Sequence, residues 1–100
     1  MKCSVSQNGA SATIKVEGKL TATEAPELEA AVEGLGADVR DITLNLAGLE
    51  YIASAGLRVL VATGKTAASR GGKLTIAEPS KEVMDILEMT GLAGIFAIEK

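Results

Sequence analysis

Ser54 is the residue of this chain best placed to do chemistry. It stands in YIASAGLRVL, residues 51–60, between an apolar strand-like segment and an apolar helix-like one, and its neighbours Ala53, Ala55 and Gly56 are all small. A hydroxyl at a strand-to-helix junction can do two things. It can cap the helix, which is worth about 1 kcal/mol. It can also accept a phosphate, a group of about −1.5 to −2 charges, which would meet free N–H groups and the positive end of the helix dipole. A cap alone does not need so many small residues, and a glycine in the first turn costs up to about 1 kcal/mol relative to alanine. Ala53, Ala55 and Gly56 leave Ser54 unshielded and let another backbone come close. The chain's own amides could absorb a phosphate there. A partner lying flat on the small residues would meet bulk and an uncompensated charge.

A second candidate is a decoy. ATGKT, residues 62–66, ends like a phosphate-binding P-loop, but Val59 occupies the place where that loop needs an early glycine. The segment also falls inside a helical pattern. It reads as an exposed Lys65 beside a packing Gly64.

The remaining inventory excludes whole classes. With no histidine there is no Ser-His-Asp or Cys-His arrangement. One cysteine, Cys3, makes neither an internal disulfide nor a zinc site. No catalytic set, metal site or cofactor is expected, and the chain does not read as an enzyme. Ten basic against thirteen acidic residues give a net charge of −3, a balance that disfavours phosphate-backbone binding. Only Tyr51 and Phe96 are aromatic, so no base-stacking platform exists and no nucleic-acid partner is expected. No apolar run nears the ~20 residues that span a bilayer, and MKCSVSQNGA carries no secretory signature. The expectation is a cytoplasmic protein without membrane insertion.

The elements that must position Ser54 follow from periodicity. One hundred residues suit one domain with an aliphatic core. Residues 4–6 and 13–17 form an antiparallel pair around Asn8-Gly9. Ile14 and Val16 face inward, and Thr13, Lys15 and Glu17 outward. Residues 24–35 form a helix with Thr23 as cap, Pro26 in the first turn, Ala25, Leu28, Val32 and Leu35 as its apolar stripe, and Gly34 and Gly36 at the exit. Residues 41–46 are a strand with Ile42, Leu44 and Leu46 inward, and residues 47–50 connect it to Tyr51-Ile52. A second helix covers residues 57–70. Leu57, Leu60, Val61, Gly64 and Ala68 lie on one face, and Arg58, Ala62, Lys65 and Ser69 opposite. Residues 73–77 are a strand. Ser80 caps a third helix that buries Val83, Ile86 and Leu87 and stops at Gly91, and residues 94–98 are a last strand. This is an α/β fold, a small, mixed, mostly parallel sheet with helices packed on it.

At this point the chain resembles a known family. LNLAGLEYIASAGLRVL, residues 44–60, is similar to the central signature of STAS-domain anti-sigma factor antagonists. GKLTATEAPELEAAV, residues 18–32, resembles the family's strand-loop-helix opening. GGKLTIAEPSKEVMDILEMTGLAGIF, residues 71–96, resembles its closing strand, helix and MTGL turn. The resemblance covers nearly the whole chain and implies one STAS-like domain over residues 1–100. It implies that the unphosphorylated protein binds an anti-sigma factor, a serine kinase of the histidine-kinase-like ATPase superfamily, and so frees the sigma factor. Phosphorylation of Ser54 would release the kinase, and a metal-dependent PP2C-type serine phosphatase would reset the switch. The kinase would meet the loop around Thr21 and Ala22, and the surface of Ala53, Ser54, Ala55, Gly56, Arg58 and Ala62.

Three positions depart from the family pattern. Ala53 and Thr21 stand where its best-studied members carry aspartate, which removes negative charge near the acceptor. Ala55 replaces the second hydroxyl of the family core, leaving Ser54 the only acceptor in the motif. Two other readings remain open: a non-cycling STAS scaffold in a signalling or transport assembly, and a small-ligand-binding STAS module.

Overall fold

The computed structural model describes all 100 residues. Lys2–Asn8 (β1) and Ser11–Leu20 (β2) pair antiparallel, with Asn8 opposite Ser11. The turn residues are therefore Gly9 and Ala10, one position later than expected, and Gly9 takes the positive φ of 63°. Both strands outrun the expected 4–6 and 13–17. β1 is exposed at almost every residue, so its ends carry no apolar signal.

In β2, Ala12, Ile14 and Val16 are buried while Thr13 and Lys15 are exposed, the half-buried alternation of a strand with one covered face. Gly18, at φ 96°, breaks that alternation and shifts the register. Before it, β2 pairs in parallel with Asp41–Asn45 (β3); after it, with Leu49–Ile52 (β4). The sequence reading puts the first half of β4, Leu49 and Glu50, in the connection. Its ends, Leu49 and Ile52, are buried and the residues between them exposed, so strand alternation is missing from its sequence.

The sheet order is β1-β2-β3, then Leu74–Ala77 (β5), then Ala97–Glu99 (β6), with β4 beside β2. All pairs except β1·β2 are parallel. Register aligns Ile14, Leu44, Ile76 and Ile98 across four strands. All four residues of β5, flanked on both sides, are buried. β6 begins three residues later than expected, because Leu92–Gly94 forms a 3-10 turn.

Three helices complete the fold: Ala25–Glu33 (α1), Ser54–Ser69 (α2) and Lys81–Met89 (α3). Leu28 and Val32 of α1, Val59 and Leu60 of α2, and Val83 and Leu87 of α3 join the sheet's aliphatic side chains in one core cluster. On α2 the buried stripe is Gly56, Val59, Leu60, Thr63 and Ala67. Of the expected stripe, only Leu60 is fully buried. The difference has a local cause. α1 lies along the Val59–Thr63 side of α2, and the Thr63 hydroxyl donates to the Val59 carbonyl at 2.7 Å, so a polar residue can be buried there. No helix is long and apolar enough to cross a membrane.

Candidate functional site

The start of α2 is pinned to the end of β2. The Ala53 N–H donates to the Leu20 carbonyl at 2.9 Å, and the Ala53 carbonyl accepts from the Leu57 N–H at 3.0 Å. Ala53 is therefore the N-cap, and its side chain makes no cap bond. Ser54 is the first helical residue, three positions before the expected start, and not the cap. It is exposed, and its hydroxyl makes no hydrogen bond within the chain. The N–H groups of Ser54, Ala55 and Gly56 have no acceptor inside the helix. An unused hydroxyl thus stands beside three unused donors.

Gly56 has an internal role. It is buried, and a Cβ built there would lie 2.7 Å from Leu20 Cγ and 2.8 Å from Ile52 Cγ1. The first turn of α2 is pressed directly on the ends of β2 and β4, so Gly56 serves this packing and is not open to a partner.

The neighbouring loop is tied by a reciprocal cap. The Thr21 N–H donates to Glu24 Oε1 at 3.0 Å, and the Thr21 hydroxyl donates to the same oxygen. In return the Thr21 carbonyl accepts from the N–H groups of Glu24 at 3.1 Å and Ala25 at 2.9 Å. The expected cap, Thr23, has no such role; Glu24 occupies the N-cap position. The spacing Thr21-x-x-Glu24 is the signal that could have found this arrangement. Hydrogen bonds from the Thr21 hydroxyl and then the Thr21 N–H hold the Glu24 carboxyl below its ordinary pKa.

Between this loop and α2 lies a groove of about 410 Å³. Ala22, Ala25, Pro26 and Glu29 line one side; Ala55, Arg58, Val59 and Ala62 line the other. Each set follows the i, i+3, i+4, i+7 spacing of one helix face. The structure thus brings together Ala22, Ala55, Arg58 and Ala62 beside Ser54. Thr21, Ala53 and Gly56 lie behind them, in the cap, the strand-end pin and the packed first turn. Sequence reasoning missed Ala25, Pro26, Glu29 and Val59; continuing the helical spacing from Ala22 and Ala55 reaches all four. No three His, Cys, Asp or Glu side chains gather to hold a metal.

A family model described as "Mlab, STAS domain" matches residues 3–98. An anti-sigma-B factor antagonist of Staphylococcus aureus is 32% identical over 88 residues, 87% of this chain and 82% of the relative. A solved anti-sigma factor antagonist from Mycobacterium paratuberculosis superposes with a TM-score of 0.85 at 23% identity, covering 98% of this chain and 84% of the other. The anti-sigma factor antagonist SpoIIAA in its unphosphorylated form gives a TM-score of 0.82 at 15% identity, covering 99% and 89%. The phosphorylated form of the Bacillus SpoIIAA gives 0.77, at the same identity and covering 99% and 92%. At these identities the solved structures speak for the fold.

Proposed function

The chain belongs to the STAS domain family, and from that premise we propose that it is an anti-sigma factor antagonist switched by phosphorylation of Ser54. In this reading residues 1–100 act as one domain in the cytoplasm. The unphosphorylated form lays the groove of Ala22, Ala55, Arg58 and Ala62 against an anti-sigma factor, a serine kinase of the histidine-kinase-like ATPase type, which then lets go of its sigma factor. The kinase transfers the γ-phosphoryl group of ATP to Ser54 Oγ. A PP2C-type serine phosphatase removes it, using its own metal ions.

The observation that carries this reading is the state of Ser54: exposed, at the first position of α2, with its hydroxyl free beside three free N–H groups. A phosphate there gains the helix dipole, typically 0.3–1 kcal/mol for an anion, and those amides as donors. In the complex the same charge would have to be desolvated against a surface that offers it no cation, which opposes docking. The sign of the effect therefore differs between fold and complex. The existence of SpoIIAA in both phosphorylated and unphosphorylated forms of similar fold supports the reading.

The test uses the ATPase-domain protein that copurifies with this chain. With ATP, intact-protein mass spectrometry should find one added phosphate, and none on Ser54→Ala. Ser54→Asp should fail to retain the partner that Ser54→Ala retains. A scaffold is the second reading, favoured by the lack of charge at Ala53 and Thr21 beside the acceptor. Equal recovery of the partner by both variants would move the assignment there.

A further inference from the structure

A second groove, of about 570 Å³, lies away from Ser54. It is bounded by the second half of α2, the start of β5 and the approach to β6. Ser54 and Gly64 are ten residues apart on α2, which places the groove about 15 Å along the helix axis from the proposed switch. Its volume falls within the ~300–1,000 Å³ typical of small-molecule sites.

The composition of its walls is selective. Val61, Ala68, Leu74, Ile95 and Phe96 make it apolar, and Ile95 is 69% exposed. Gly64 sits on its floor, where a Cβ would make ordinary contact with Leu74 Cδ2 at 3.7 Å and Phe96 Cε1 at 3.8 Å. The only polar side chains at the walls are two exposed lysines, Lys65 and Lys73; the one acid at this edge, Asp41, lies outside the lining and its Oδ1 accepts from the Lys73 N–H at 3.1 Å. Gly64 and Lys65 belong to ATGKT, which the sequence reads as a packing glycine beside an exposed lysine. They sit mid-helix, where backbone N–H groups are already committed, so they cannot cradle a polyphosphate. The walls also offer no side-chain acceptor for a base or a sugar.

We propose that this groove binds a monoanionic amphiphile, an alkyl carboxylate. Its chain covers Phe96, Ile95 and Leu74, and its head lies within reach of Lys65 and Lys73. Charge complementarity selects the head; the uncovered apolar walls select the tail. The site is independent of the Ser54 switch.

Decanoate, below its micelle concentration, is the probe, followed by ¹⁵N NMR, with decanol as the neutral comparator. Saturable shifts are expected at the amides of Gly64, Lys65, Phe96 and Ala97, with Ser54 and Ala55 unmoved. Decanol should bind about fivefold more weakly, the size of one partly exposed ion pair. Lys65→Glu with Lys73→Glu should weaken decanoate by about tenfold or more on the same basis. Ala68→Trp, a change at an exposed position, should abolish saturation, and Ser54→Asp should leave it unchanged. Shifts that never saturate, equal affinity for acid and alcohol, or indifference to both groove variants would each overturn the proposal.

Discussion

Two serines stand at helix starts in this chain, and their hydroxyls have opposite fates. Ser80 is the true N-cap of α3. Half-buried, it accepts from the Val83 N–H at 3.3 Å and donates to the Leu49 carbonyl at 2.7 Å, so its hydroxyl is committed in both directions. Ser54 sits one position further into its helix, after a cap residue, Ala53, whose side chain has no oxygen to offer. α2 forgoes the roughly 1 kcal/mol that a capping hydroxyl provides. It is held instead by the Ala53–Leu20 bond and by Gly56 packed on Leu20 and Ile52. A shift of one residue separates a serine that builds the fold from one left available to a partner.

The largest way to break this contrast is to attack what replaces the cap. Gly56→Ala puts a methyl group against Leu20 and Ile52, whose side chains are at most 1% exposed and have nowhere to go. Overpacking of this kind costs about 1–3 kcal/mol, more than the gain of up to ~1 kcal/mol in helix propensity. Thermal unfolding should show Tm lower by several degrees, at 4–8 °C per kcal/mol for a domain this size. An unchanged Tm would mean that the first turn of α2 is not pressed on the strand ends.

The two serines themselves give a crossed pair. Ser80→Ala removes a cap and leaves the Leu49 carbonyl without its partner, so it should cost about 1–2 kcal/mol in denaturant unfolding. Ser54→Ala removes no intramolecular bond and should stay within about 0.5 kcal/mol of the parent. Phosphate acceptance should show the reverse order, kept by Ser80→Ala and lost by Ser54→Ala. A Ser54→Ala variant as destabilised as Ser80→Ala would erase the distinction.

Sequence alone made this difference hard to see. Ser80 follows proline and precedes a clear apolar period, so its cap role was legible. At Ser54 the neighbours Ala53, Ala55 and Gly56 carry no periodicity, and the helix was read as starting at Leu57. β2 and β3 were legible because one covered face forces strict alternation at Ile14 and Val16, and at Ile42 and Leu44. β4 was not, since its exposed Glu50 and Tyr51 adjoin. The stripe of α2 was misread because Thr63 is buried by virtue of a hydrogen bond to Val59, a contact that no hydropathy pattern contains. The groove could be read only in part. In the groove beside Ser54, Ala22, Ala55, Arg58 and Ala62 were legible, whereas that the Ala25, Pro26 and Glu29 face lies opposite Val59 depends on how α1 and α2 pack together.

The two kinds of cap also differ in how they answer to pH, and this is the smallest of the expected effects. The Ser80 cap is built from neutral groups. The Thr21–Glu24 cap requires a carboxylate, whose folded pKa is lowered first by the Thr21 hydroxyl and next by the Thr21 N–H. A depressed carboxyl contributes stability above its unfolded pKa and loses it as pH falls through the folded one. The entry to α1, and with it the Ala22 and Ala25 wall of the groove, should therefore loosen only under acid conditions, below the ordinary glutamate range. Thr21→Ala should move the Glu24 midpoint up toward its usual value in a ¹³C-carboxyl NMR titration. The stability cost of Thr21→Ala should be greater at neutral pH than in acid, while that of Ser80→Ala should not depend on this carboxyl. An unmoved Glu24 midpoint in Thr21→Ala would mean that the hydroxyl does not hold the acid, and that the docking loop is shaped by the backbone alone.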